Sequence, residues 1–212
     1  MASDSVISRM DSVETNSDES TSSDSSPSRL SNSSAEMDLI YKQAHELAVD
    51  VVNRALGHPT PSKPSKLTLR MRMLVDKILA RHQLLYTGIV RRLSEPQPES
   101  AGTMLRAVAD DMFADQKINW GRIVALYSFV FRWCAFVQEE GVGVSKDQLE
   151  QLPQVLALYV THRLGDWIST NGGWDGLTKS FPEEINWESK LFTGLVVTGV
   201  GLGVLASFYA LR

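Results

Sequence analysis

The side chains able to do chemistry by type are few in this chain, and their spacing argues against a reaction. The four histidines, His45, His58, His82 and His162, lie far apart, with no cysteine partner and no HExxH spacing. They do not form the convergent set a metal ion needs. Cys134 is the single cysteine, which excludes an internal disulfide and suits a chain on the cytosolic side of membranes. Its neighbours Phe131, Trp133 and Phe136 predict a small buried apolar side chain rather than a reactive thiol. The carboxylate pairs Asp110–Asp111 and Glu183–Glu184 are adjacent in sequence, so on helices they diverge. No serine or cysteine sits in a nucleophile elbow. The run Gly199, Gly201, Gly203 looks like a phosphate loop, but it lies inside an apolar segment with no strand before it. The expectation is a protein that is not an enzyme, with no metal and no cofactor.

The elements must therefore position a surface. Of 212 residues, 43% are hydrophobic and 22% charged, which is ordinary for a globular core with an apolar attachment. The net charge of -4 is uneven, because residues 1–36 carry seven acidic side chains against Arg9 and Arg29. The remainder is close to neutral, so no nucleic acid is expected as a partner. The start, MASDSVISRM, lacks a basic region followed by an apolar run, and Met1 is not followed by glycine; neither a signal peptide nor N-myristoylation is indicated. Residues 1–36 read as a disordered, acidic, serine-rich tail that cannot bury enough apolar area to offset ordering. Ser26–Pro27 and the serines of residues 17–25 are places where phosphate could act on degradation or partner access.

Residues 37–188 carry helical spacing. Leu39, Ile40, Ala44, Leu47, Ala48, Val51, Val52 and Leu56 fall on one stripe, which Gly57 and Pro59 end. The prolines in HPTPSKPSK, residues 58–66, make a linker. A second stripe runs through Leu67, Met71, Leu74, Val75, Ile78 and Leu79, and a third surrounds Leu85, Tyr86, Ile89 and Leu93. After SEPQPES, residues 94–100, a fourth helix runs from Thr103 to Phe113. The fifth, capped by Asn119, is apolar on nearly every side from Ile123 to Phe131, so other helices must wrap it. Arg122 and Arg132 interrupt it, which favours a central pillar over a membrane span. A sixth helix packs Leu149, Leu152, Leu156 and Tyr159 or Val160, and short helices cover Trp167–Ile168 and Trp174–Phe181. The fold class is all-α: a bundle of about eight helices around a central hydrophobic helix, with a C-terminal transmembrane helix.

That last helix belongs to residues 189–212. Residues 191–211, between Lys190 and Arg212, are uncharged. At ~1.5 Å per residue they reach about 31 Å, matching a hydrocarbon core of ~30 Å. A span at the end of a chain inserts after synthesis and leaves the rest cytosolic. Gly199 and Gly203 form a small-xxx-small pair, more simply read as a dilution of hydrophobicity than as a packing motif.

Two strings carry a resemblance. NWGRIVALYSF, residues 119–129, resembles the BH-one motif of the Bcl-2 family of apoptosis regulators, and DWISTNGGWDGL, residues 166–177, resembles its BH-two motif. Their order, their separation by one helix and the terminal anchor extend the resemblance over roughly residues 37–212. The first string suits a receptor for helices. Gly121 lets a foreign helix approach closely, and Arg122 can meet an acid on it in a bidentate, charge-assisted pair. The resemblance implies that Arg122 holds the aspartate of a partner's BH-three helix, with Asn119 a polar contact beside it. It also implies a groove lined by Tyr86, Ile89, Val108, Met112, Ala125, Leu126 and Phe129, each of which is equally placed to be plain core. Trp167 and Trp174 read as clamps on the last helices.

The chain's own BH-three segment has two candidates. LRAVADDM, residues 105–112, fits the pattern but stands where the family has its fourth helix. LRMRMLVDKILARH, residues 69–82, stands where the family has the motif and supplies Met71, Leu74, Asp76 and Ile78. It departs by Val75 in place of a small residue, which disfavours insertion into another protein's groove and favours a receptor. ARHQLLYTGIVRRL, residues 80–93, and the acidic tail are most similar to the myeloid-cell-leukaemia-type pro-survival branch. The implied function is sequestration of BH-three-containing pro-apoptotic proteins and Bax/Bak-type effectors at the mitochondrial outer membrane, facing the cytosol, or at the endoplasmic reticulum. The alternative is a Bax/Bak-type effector that oligomerises and permeabilises the mitochondrial outer membrane, since both share one fold.

Overall fold

The computed structural model describes residues 27–93, 100–141 and 144–182, and every regular element within them is helical. The helices are α1 (Pro27–Ala55), α2 (Lys66–Leu93), α3 (Ala101–Met112), α4 (Trp120–Glu140), α5 (Lys146–Tyr159), α6 (Gly165–Thr170) and α7 (Asp175–Ser180), with a π-helical turn at Val160–Leu164. The expected anchor, residues 191–211, lies outside the described residues, as does most of the expected tail.

α1 begins at Pro27, inside the segment expected to be disordered to residue 36. Proline suits a first helical position because its φ is already helical and its missing N–H has no partner to lose there. Farther along, Glu36 accepts a hydrogen bond from Ser169 Oγ at 2.5 Å, so this part of α1 has a tertiary partner. The buried stripe is Ile40, Ala44, Leu47, Ala48, Val51, Val52 and Leu56; Leu39 instead faces out, 54% exposed. Gly57, at φ 69, supplies the left-handed residue that ends the helix.

The second and third helices expected from sequence are two helical segments that follow one another without a loop, here labelled together α2, and they are separated by a kink at His82, whose φ of -118° and ψ of 25° are non-helical. Residues 79–85 contain neither glycine nor proline, so the change of face is made by the single residue His82. Before the bend Met71, Leu74, Val75 and Ile78 are buried; after it, Tyr86, Ile89 and Val90 are. Leu84 and Leu85 face out.

α1 and α2 meet along three polar rungs, each joining residues 22 apart: Thr68 Oγ1 donates to Glu46 at 2.9 Å, Arg72 Nε to Asp50 at 2.9 Å, and Arg54 Nη2 to Asp76 at 2.9 Å. A constant offset means the two helices run in the same direction, and four-residue steps keep the rungs on one face.

α4 is the pillar. Asn119 caps it by accepting from the Arg122 N–H at 2.9 Å, and Gly141 closes it at φ 65. From Trp120 to Val130 every residue is buried. The two hydroxyls in that stretch find partners: Tyr127 donates to Ala44 O at 3.1 Å and Ser128 to Val124 O at 2.8 Å. α4 packs on α1 and α2, and α5 on α1 and α3. Among the described residues α4 is the one helix long and apolar enough to cross a membrane, yet it is wrapped by the bundle. In α5 and the following π turn, Leu149, Leu152, Leu156, Tyr159 and Val160 are all buried.

The last helices are clamped by tryptophans, as the sequence suggested. Trp174 Nε1 donates to Ile40 O at 3.2 Å, and Trp120 lies 5.1 Å from Trp167 and 5.8 Å from Trp174 by ring centroid.

Candidate functional site

Two elements meet at Arg122, the first turn of α4 and the loop that precedes it. The Asn119 cap sets the start of α4, which places Arg122 in its first turn, and residues 113–119 return from α3 past the same point. The arginine side chain is 1% exposed. Nη1 donates to Asp115 Oδ1 and to Lys117 O, each at 2.5 Å, and Nη2 donates to Asp115 Oδ2 at 2.7 Å. The pair is thus bidentate and charge-assisted. Arg122 Nε is buried without a partner, a state that costs on the order of 1–3 kcal/mol for such a donor.

Asp115 is the unequal half of this pair, with its side chain 40% exposed. Its Oδ1 also accepts from the Lys117 N–H at 3.1 Å. The Arg122 guanidinium holds the Asp115 carboxyl well below the usual carboxylate range, against a smaller opposing effect of desolvation. Gln116 between them adopts φ 57, a left-handed conformation uncommon for a side chain of this kind.

The expected groove residues come together, but as packed interior. Tyr86 and Ile89 from α2, Val108 and Met112 from α3, and Ala125, Leu126 and Phe129 from α4 are all buried in one core cluster. Tyr86 donates to Ala125 O at 3.3 Å, and burial pushes its phenol well above the ordinary range. Gly121 is buried beside Arg122, and Asn119 spends its side-chain oxygen on the helix cap. Arg122 is consequently not an open cation awaiting an acid, as the sequence suggested: it already has one, because Asp115 reaches it from the preceding loop. Sequence reasoning missed Asp115, which sits outside any helical stripe.

The segment of residues 69–82 faces inward too. Met71, Leu74, Val75 and Ile78 are buried, while Asp76 is paired with Arg54 at 2.9 and 3.1 Å. Arg54 also lies 5.3 Å from the centre of the Phe131 ring. In the competing segment, Asp110 accepts from Tyr159 Oη at 3.1 Å. Cys134 is fully buried, and burial pushes its thiol up to about 12, as an inert core residue requires.

The described residues thus form an all-helical bundle around a buried apolar helix that carries a buried arginine in its first turn. A family model described as apoptosis regulator proteins of the Bcl-2 family matches residues 71–174. The chain is 30% identical over 129 residues to anti-apoptotic protein NR13 of Gallus gallus, covering 61% of this chain and 70% of that one. It is 26% identical over 164 residues to Bcl-2-related protein A1 of Bos taurus, covering 76% and 91%. It is also 28% identical over 146 residues to apoptosis regulator BAX of Homo sapiens, covering 66% and 65%. In fold it is similar to the zebrafish pro-survival protein NRZ solved in complex with a Bad BH3 segment, with a TM-score of 0.63 and 22% identity, covering 70% of this chain and 98% of that one. The chain belongs to the Bcl-2 family of apoptosis regulators.

Proposed function

We propose that this regulator is pro-survival and acts by sequestering BH-three helices of pro-apoptotic partners, including Bax/Bak-type effectors. The observation that carries the reading is Arg122, a buried cation with one unfilled donor, at the start of a helix that packs on α2 and shares one apolar core with residues of α2 and α3. An amphipathic helix entering between the second half of α2 and α3 would exchange core contacts for its own apolar face and bring an acid to Arg122. The receiving residues are then Tyr86, Ile89, Val108, Met112, Ala125, Leu126 and Phe129, with Asn119, Gly121 and Arg122 at the polar end. Each buried apolar anchor is worth ~1.5–3 kcal/mol before the cost of ordering the peptide.

The locked segment around Asp76 supports a receptor over a donor, because Met71, Leu74 and Ile78 would have to leave the core to serve elsewhere. Resemblance of residues 80–93 to the myeloid-cell-leukaemia-type branch, and likeness to relatives named anti-apoptotic, support the same polarity. In this reading residues 1–36 are an accessory tail, residues 37–188 the helical bundle, and residues 191–211 anchor it to the mitochondrial outer membrane, or to the endoplasmic reticulum, facing the cytosol.

The second reading is a Bax/Bak-type effector, favoured by the BAX likeness and by an α4 long and apolar enough to enter lipid. Full-length protein in cells given a death stimulus separates the two. Suppressed mitochondrial cytochrome release supports sequestration, and enhanced release supports the effector.

A further inference from the structure

A guanidinium offers five N–H donors in two forks. On Arg122 the end-on fork, Nη1 with Nη2, is filled by the two Asp115 oxygens, and Nη1 gives its other hydrogen to Lys117 O. The side-on edge that includes Nε has no partner. The pair is also unequal in access. Arg122, 1% exposed, is fixed by the packing around it, whereas Asp115, 40% exposed, can turn into water.

We propose that Asp115 is an internal substitute for the partner's acid: it occupies Arg122 in the unbound protein and must give way when an acidic helix docks. Arg122 is reached only from the side that the half-exposed Asp115 covers, so the exchange moves Asp115 to solvent, and the unfilled Nε edge leaves the incoming carboxylate a donor that Asp115 does not use. This inference rests on the receptor reading above. Because a carboxylate already neutralises the buried cation, the partner's acid gains less than it would at a bare arginine. Asp115 therefore sets how strongly the protein discriminates between helices with and without that acid. Apparent affinity falls by the fraction of molecules in which Asp115 is off the fork.

The test is a binding cycle on the full chain, measured by calorimetry with a synthetic Bad BH-three peptide and its Asp→Ala version. Asp115→Asn keeps the shape and one acceptor oxygen for Arg122. The variant is expected to bind the aspartate-bearing peptide about three- to tenfold more tightly and the Asp→Ala peptide within about twofold of the wild type. Unchanged or weaker binding of the aspartate-bearing peptide, or equal tightening of both, overturns the proposal. A wild-type protein that binds neither peptide removes the receptor reading and the proposal with it, whereas one that binds both equally keeps a receptor but overturns the proposal; either failure is visible without any variant.

A second measurement needs no substitution. Carboxyl NMR of Asp115 in the wild-type protein is expected to show its titration returning toward the ordinary carboxylate range when the aspartate-bearing peptide binds. Titration as depressed in the complex as in the free protein contradicts the exchange.

Discussion

Arg54 and Asp76, 22 residues apart, face each other across parallel helices with two hydrogen bonds of 2.9 and 3.1 Å from one Nη2 atom. Their neighbours one turn back, Asp50 and Arg72, repeat the arrangement in a drier setting, since the Asp50 side chain is 5% exposed against 55% for Asp76. The difference in burial predicts a difference in worth. Asp76→Ala should cost about 0.5–1 kcal/mol, the scale of an exposed pair. Arg72→Ala strands the Asp50 carboxylate in the interior and should cost more, about 1–3 kcal/mol. Chemical denaturation of the two variants checks the order; equal costs would mean that Asp50 is rehydrated when Arg72 is gone.

Gly176 carries a second stability prediction. A Cβ added there would lie 2.1 Å from Asn171 O and 2.9 Å from Trp120 Cζ2. The first of these is backbone and cannot turn away, so Gly176→Ala should destabilise by about 1–3 kcal/mol. Denaturation followed by tryptophan fluorescence would report it, because Trp120, Trp167 and Trp174 pack at this point.

The acid limb of stability should bear the mark of Asp115. Its carboxyl titrates lower in the folded protein than in the unfolded chain because Arg122 favours the charged form. The stabilisation is therefore fully present above the unfolded value of about 3.9 and is lost as the pH falls below it toward the folded value. Asp115→Asn removes the group, so denaturation midpoints measured from pH 6 downward should fall less steeply below pH ~4 in the variant. Parallel curves would mean that the pair contributes nothing there.

Much of this architecture was legible in the sequence because helical spacing reports burial directly. The stripe from Ile40 to Leu56, the all-round apolarity of α4 and the Asn119 cap all follow from side-chain chemistry at fixed offsets. The change of face between the stripe ending at Leu79 and the one around Tyr86 was legible too, and falls at the kink at His82. One thing was not legible. The state of Arg122 was hidden. Spacing identifies an arginine at a helix start but not the carboxylate that meets it, since Asp115 arrives from a loop whose course depends on tertiary packing. The same limit applies to Tyr86 and Phe129: a residue that lines a groove and one that fills a core have the same sequence signature, and here both are packed inside.

The central claim, that Arg122 receives the acid of a partner helix, is tested most directly by titrating wild-type protein and Arg122→Ala with the same BH-three peptide, after denaturation has shown both to be folded. Loss of the charged hydrogen bonds should weaken binding, by less than the ~1.5–3 kcal/mol of a bare arginine because Asp115 already pairs with Arg122 in the free protein, and removing the peptide's aspartate should weaken wild-type binding while adding little to the variant's deficit. Wild-type affinity in Arg122→Ala would contradict the assignment.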